Sequence, residues 1–131
     1  MNKPVKFREY KTSSGKLVLG GKSAESNEEL VEQVGENEIV LHTSLPGSPF
    51  VNIKSASGEV GKEDIREAGI FCARYSQDWR DNKKNVLVHV FLGKDIFKDK
   101  KMKAGTFGVK KFKEIVVKKI EIEGFKLNSE D

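Results

Sequence analysis

Three groups of residues carry side chains that can do chemistry, and type and spacing weigh each one. The first is Gly20-Gly21-Lys22-Ser23. A P-loop needs a glycine five positions before the one that precedes its lysine, and Lys16 stands there. Gly15 is one residue too far away, and Leu17-Val18-Leu19 reads as strand, not as a cradle of backbone amides. Nucleoside triphosphate hydrolysis is therefore rejected. A Gly-Gly-Lys turn before a helix can still hold a single phosphate, including one in a nucleic acid, or it can simply turn the chain.

The second group is His42, His89 and Cys72. A metal needs three or four converging ligands, and two histidines on different strands with no Cys-x-x-Cys do not supply them. No nucleophile elbow accompanies either histidine. Cys72 lies in an apolar stripe without a paired His or Lys, so it reads as core. His89, inside an apolar run, reads as a core histidine with a hydrogen-bond partner. His42 ends a strand just before Pro46-Gly47-Ser48. There it can contact a phosphate or a base beside Ser48, or tie down the turn, and both readings stand.

The third group is basic and interleaved with aromatics. Lys100, Lys101, Lys103, Lys110, Lys111 and Lys113 surround Phe107 and Phe112. Lysines bind backbone phosphates without sequence preference, and exposed aromatics stack on unpaired bases. Phe107 and Phe112 can instead be core, a reading that fits Phe107, between strand residues, better than base stacking does. Lys83 and Lys84 join the basic set from the segment after the second helix.

The elements that must position these groups follow from periodicity. Residues 5–11 and 17–19 form a hairpin around Thr12-Ser13-Ser14-Gly15. A helix near 26–34 has Ser26 as its expected N-cap with Glu29 completing a capping box, and Leu30, Val31 and Val34 form its apolar stripe. Glu25, Glu28, Glu29, Glu32 and Glu36 make its other side acidic, a side expected to face away from nucleic acid. Strands are expected at 38–43 and 50–54, with a polar loop at 55–61. Residues 62–78 form the second helix, whose stripe of Ile65, Ala68, Gly69, Cys72, Ala73 and Ser76 is small enough to lie close to a sheet. The run 85–92 is apolar on both faces, as in a central strand. After a lysine-rich connection at 94–103 come a glycine-flanked strand at 105–109 and a last strand at 115–122. The alternation of that last strand slips at Lys118-Lys119, which predicts a bulge or an exposed edge.

Length and charge set the frame. The chain has 131 residues, one domain by size. Its 37% hydrophobic content suffices for a modest core. Residues 83–126 carry 13 lysines against 5 acids, whereas residues 1–82 are net −2, so basic charge gathers in the C-terminal third. That asymmetry suits a polyanion-binding face or a solvated lysine-rich surface. No apolar run approaches the ~20 residues needed to cross a bilayer. The first residues lack the apolar core of a signal peptide, and a lone cysteine suits a reducing compartment, so a cytoplasmic location is expected.

Several spaced motifs also resemble one family in family order. Thr12-Ser13-Ser14-Gly15, Gly20-Gly21-Lys22 and Asn27-Glu28 resemble the opening of the NFACT-R domain. Val40-Leu41-His42 with Pro46-Gly47-Ser48, then Glu67-Ala68, Tyr75-Ser76 and Trp79, then residues 103–107, continue the likeness across residues 10–122. The resemblance implies an RNA-binding module of ribosome-associated quality control, with tRNA or rRNA and the large ribosomal subunit as partners. Family members carry an N-terminal domain and a long helical arm, and a chain of this length is expected to be a form lacking both.

The expectation is therefore an α+β domain at residues 1–126, a largely antiparallel sheet of about six or seven strands with two main helices, and a disordered tail at 127–131. The expected function is non-enzymatic RNA binding with no cofactor, no metal and no membrane. RNA contacts are expected from Ser13, Ser14, Lys22, Asn27, His42 and Ser48 on a polar rim, and from Lys83, Lys84, Lys100, Lys101, Lys103, Lys110 and Lys111 on a basic face. The alternative is a protein-interaction module docking on a ribosomal or quality-control partner. A small-molecule enzyme at the rim near His42 ranks third.

Overall fold

In a computed structural model that describes residues 7–55 and 59–127, the chain builds one six-stranded sheet with helices on both faces. Strands β1 (Arg8–Lys11) and β2 (Leu17–Gly20) form the first hairpin, and Gly15 at φ +92° makes its turn. β3 (Ile39–Thr43) and β4 (Val51–Lys54) form the second. β5 (Val86–Leu92) and β8 (Lys113–Val117) complete the order β1-β2-β4-β3-β5-β8, every neighbouring pair antiparallel. Between them β6 (Ile96–Phe97) and β7 (Gly108–Val109) pair as a two-stranded ribbon.

Alternation along the strands divides the core in two. On one face Val18, Leu41, Val51, Ile53, Val86, Val88 and Val117 meet α2 (Lys62–Arg74), α3 (Gln77–Asn82) and α4 (Lys119–Glu123) through Ala68, Phe71, Cys72, Trp79 and Ile122. On the other, Leu19, Val40, Phe50 and Phe91 meet α1 (Ala24–Glu32) through Leu30 and meet the ribbon through Ile96, Phe107 and Val109. Each large side chain removed from water in these clusters contributes roughly 1.5–3 kcal/mol. The small stripe of α2 has the expected effect: a Cβ on Gly69 would stand 3.0 Å from Ile115 Cδ1, so the helix rests directly on the sheet.

The structure corrects four expectations. The N-cap of α1 is Ser23, not Ser26, because Ser23 Oγ accepts from the Ser26 N–H at 3.1 Å. Ser26 completes the box, its hydroxyl accepting from the Ser23 N–H. The second helix stops at Arg74, since Ser76 caps both halves: its Oγ donates to the Ala73 carbonyl and accepts from the Trp79 N–H. The last strand ends at Val117 and is an exposed edge of the sheet, one of the two alternatives expected, while the slip at Lys118-Lys119 starts α4 and makes no bulge. There Ile122 is buried, Ile120 is 75% exposed, and Arg66 of α2 holds Glu121 in an ion pair. The strand expected at 105–109 is reduced to Gly108–Val109, where a Cβ on Gly108 would strike the Phe97 ring.

Val5 and Lys6 of the expected first strand, residues 56–58 of the polar loop, and the tail from 128 to 131 lie outside the described residues.

Candidate nucleic-acid interface

One end of the sheet gathers the turn after β3, the Gly20-Gly21 turn and the start of α1. The β3 turn is held from inside. Ser48 Oγ accepts from the Thr43 N–H at 3.2 Å and donates to the Pro49 carbonyl at 2.7 Å, while Thr43 Oγ1 donates to the Leu45 carbonyl. Gly47, at φ +88°, presses against Gln77, whose N–H bonds the Gly47 carbonyl. Asn27 of α1 is buried, and its Oδ1 accepts from the Phe50 N–H at 3.1 Å. The paired glycines serve packing: a Cβ on Gly20 would meet the Phe71 ring at 2.8 Å, and one on Gly21 would lie 1.9 Å from Asn27 Oδ1.

Two recesses open at this end. The first, about 510 Å³, is walled by His42, His89, Phe50, Phe91 and Phe107. Its rings continue a row across the strands that starts outside it at Phe112. Phe112, half exposed, stacks on His89 at 3.8 Å, and His89 is the cross-strand partner of His42. The His42 ring lies 4.5 Å from that of Phe50, which meets Phe107 edge-on at 5.3 Å. His89 is thus not a core histidine; it lies on the open side of β5, with its expected partner in Glu114 at 3.0 Å. Leu87 and Val116 are exposed beside it.

His42 Nδ1 is 2.8 Å from the Thr43 carbonyl, which can only accept, so the proton sits on Nδ1. Burial, helped by neighbouring His89, holds the imidazole below its ordinary pKa and keeps it neutral near pH 7.

The second recess, about 260 Å³, is basic. Arg8, Lys22 and Arg80 line it together with Ser23 and Tyr75. The Arg8 guanidinium lies 3.8 Å over the Tyr75 ring, and Arg80 is fixed by the Tyr75 carbonyl and by Gln77 Oε1 at 2.8 Å. Ala24, Asn27, Gly47 and Ser48 line both recesses, which makes one continuous groove. Arg8 and Arg80 are not among the RNA contacts expected from the sequence, and Tyr75 entered there only as part of a motif. The available signal was the scarcity of arginine, four in a lysine-rich chain, since the planar fork binds phosphate in two-point fashion.

The other expected residues scatter. Lys83 and Lys84 are exposed past α3 at the same end, Lys83 over the Trp79 ring. Lys100, Lys101 and Lys103 are exposed on the connection whose residues 104–107 wall the aromatic recess. That connection is pinned to α1: Lys98 Nζ pairs with Glu28 Oε2 at 2.5 Å, and the Gly105 N–H donates to the same oxygen at 2.6 Å. Glu28 therefore does not face away from the basic segment, and the Lys98 hydrogen bond holds its carboxyl below the usual range. Lys110 and Lys111 lie at the opposite end of β5, where the Lys110 N–H bonds the Asp95 carbonyl. Ser13 and Ser14 are also far from His42, in the hairpin turn against α2. Ser14 Oγ donates to Asp64 Oδ1 at 2.6 Å and the Ser13 N–H to Glu67 at 2.9 Å.

Cys72 is fully buried against Ser48 and Pro49, and burial pushes its thiol up to about 12, so it stays protonated at neutral pH. Among the described residues no three His, Cys, Asp or Glu side chains converge on a metal position, and no helix is long and apolar enough to cross a membrane.

Comparison with known proteins places the chain. The model of the NFACT protein RNA binding domain matches residues 6–111, and the chain belongs to that family. It is 34% identical over 68 residues to the archaeal Rqc2 homolog aRqcH of Methanocaldococcus jannaschii, covering 51% of this chain and 10% of that protein. It is 32% identical over 76 residues to the ribosome quality control complex subunit NEMF homolog of Drosophila melanogaster, covering 56% of this chain and 8% of that protein. The chain thus matches about a tenth of each relative's length. The C-terminal part of the fibronectin/fibrinogen-binding protein from Streptococcus suis has the same fold, with TM-score 0.79 at 23% identity over 96% of this chain and 51% of that one.

Proposed function

We propose that this NFACT RNA-binding domain binds structured RNA, tRNA or rRNA, without catalysis, within cytoplasmic ribosome-associated quality control. One observation carries the reading: a basic recess and an aromatic recess adjoin across Asn27, Gly47 and Ser48. Arg8, Lys22 and Arg80 supply phosphate contacts and counterion release, and the aromatic row supplies surface for bases. Lys83, Lys84, Lys100, Lys101, Lys103, Lys110 and Lys111 extend the positive field around the groove without reading sequence. The resident names of the relatives, Rqc2 homolog and NEMF homolog, support the quality-control setting.

A second reading has its own observation. Leu45, Leu87 and Val116 are 48, 39 and 45% exposed, which suits docking on a ribosomal or quality-control protein. Affinity for a tRNA transcript measured across a salt series separates the two. RNA binding through this groove gives a steep inverse dependence on salt, whereas no RNA affinity at low salt together with salt-insensitive capture of a protein favours docking.

A further inference from the structure

The groove presents two side-chain atoms whose hydrogen-bonding sense is fixed by their other partners. His42 gives its Nδ1 proton to the Thr43 carbonyl, which leaves Nε2 as a lone-pair acceptor. Nε2 has no partner among the described residues, and no described side-chain nitrogen or oxygen is both buried and unpartnered. Nε2 is therefore open to solvent, and His42 lines the aromatic recess. Asn27 is fixed in the opposite sense. Its Oδ1 is taken by the Phe50 N–H, so its amide NH₂ is the donor it can offer where the two recesses meet.

A phosphate asks for donors only. An acceptor set among Phe50, Phe91 and Phe107 suits a flat group that bears its own N–H or O–H. The recess, about 510 Å³, falls within the size range of small-ligand sites, roughly 300–1,000 Å³. A base inside a helix has its pairing edge and both faces occupied, whereas a bulged or looped-out base brings all of them free.

We propose that the aromatic recess takes one unpaired nucleotide turned out of an RNA strand, with His42 Nε2 accepting a hydrogen bond from its 2′-hydroxyl or exocyclic amino group. The base packs on the half-buried rings of His42 and Phe107, Asn27 donates to an acceptor on the nucleotide, and the neighbouring phosphate meets Arg8, Lys22 and Arg80. This rests on the RNA-binding reading and adds what it lacks, a reason for preferring irregular RNA over a plain helix.

The test uses the 131-residue chain and two RNA hairpins with the same stem, one carrying a single bulged adenosine. Fluorescence anisotropy at moderate salt is expected to favour the bulged hairpin by about tenfold, within what stacking of a single base contributes. Replacing the bulged nucleotide by 2′-deoxyadenosine or by purine riboside removes one donor at a time. One of the two replacements should cost the parent roughly five- to tenfold and cost His42→Phe nothing, and which one identifies the group that Nε2 engages. Equal affinity of the parent for both hairpins overturns the proposal while salt-dependent binding to both keeps the RNA reading. Failure of either hairpin to bind at low salt sinks the RNA reading itself. Should neither donor removal weaken the parent, the assignment to His42 falls even if His42→Phe does not fold.

Discussion

The two ends of the central sheet are closed by turns of similar composition, and they use their polar groups in opposite ways. At the hairpin end, two carboxylates of α2 gather everything on offer. Asp64 accepts from Thr12 Oγ1 at 2.7 Å, from Ser14 Oγ at 2.6 Å and from the Gly61 N–H at 3.0 Å. Glu67 takes the Ser13 N–H and the Tyr10 hydroxyl, and burial with that contact raises Tyr10 to about 12. At the groove end, Ser48 and Asn27 bind backbone, and no carboxylate lines either recess. His42 Nε2 and the cations of Arg8, Lys22 and Arg80 are left facing a cavity. Whether a polar turn is structural or receptive depends on what a distant helix brings to it.

That contrast can be broken from the hairpin end with the largest effect on stability. Asp64→Ala leaves the buried Thr12 hydroxyl, Ser14 and the Gly61 N–H without their acceptor and should cost about 3 kcal/mol in urea denaturation, with RNA affinity unchanged. Arg8→Ala with Arg80→Ala should do the reverse: RNA affinity falls about thirtyfold, and the slope of log affinity on log salt flattens by roughly two. A change in affinity from the first variant, or none from the second, erases the distinction between the ends.

Smaller effects sharpen it. Lys110→Glu with Lys111→Glu should weaken all RNAs alike and flatten the salt slope, because these residues sit beyond the recess and contribute field rather than contacts. Phe112→Ala removes the ring stacked on His89 and should cost about 1 kcal/mol for RNA with unpaired bases and little for a plain duplex, read by the same anisotropy assay.

The smallest effect is in pH. His42 is held below its ordinary value by burial and by His89, which in turn touches Glu114. The folded state therefore takes up this proton less readily than the unfolded chain. Stability should decline as pH falls through the ordinary imidazole value of 6.5 toward the depressed folded one. Asp64 has the same sign lower down, its carboxyl held below the ordinary 3.8 chiefly by the Ser14 hydroxyl. Its contribution is present above 3.8 and lost as pH falls through the folded value. Thermal melts between pH 7 and pH 5 of the parent and His42→Phe check the first window, and the decline should be weaker in the variant.

Much of the fold was legible in the sequence because strand alternation and the small-residue stripe of α2 are local signals. The pairing β2-β4 and β3-β5 was not, since nothing local encodes which strands become neighbours. The break at Ser76 was hidden because a serine that caps the next helix also continues the apolar stripe. The site was legible by type and not by place. His42, Asn27, Ser48 and Lys22 do converge on the groove, but Ser13 and Ser14 are consumed by carboxylates some 50 residues away. Nothing in its run distinguishes Lys98 from the other lysines, yet Glu28 holds it in an ion pair. Arg8 and Arg80 lie 72 positions apart, and only the packed fold brings both to Tyr75.

The central claim is that RNA engages the groove end and leaves the hairpin end untouched. An NMR titration of the labelled chain with the bulged hairpin tests it most directly. The account predicts amide shifts at Gly20 to Asn27, His42 to Phe50 and Ala104 to Phe107, with Thr12 to Lys16 and Asp64 to Glu67 silent. Shifts concentrated around Thr12 to Lys16, or none at saturating RNA, would contradict it.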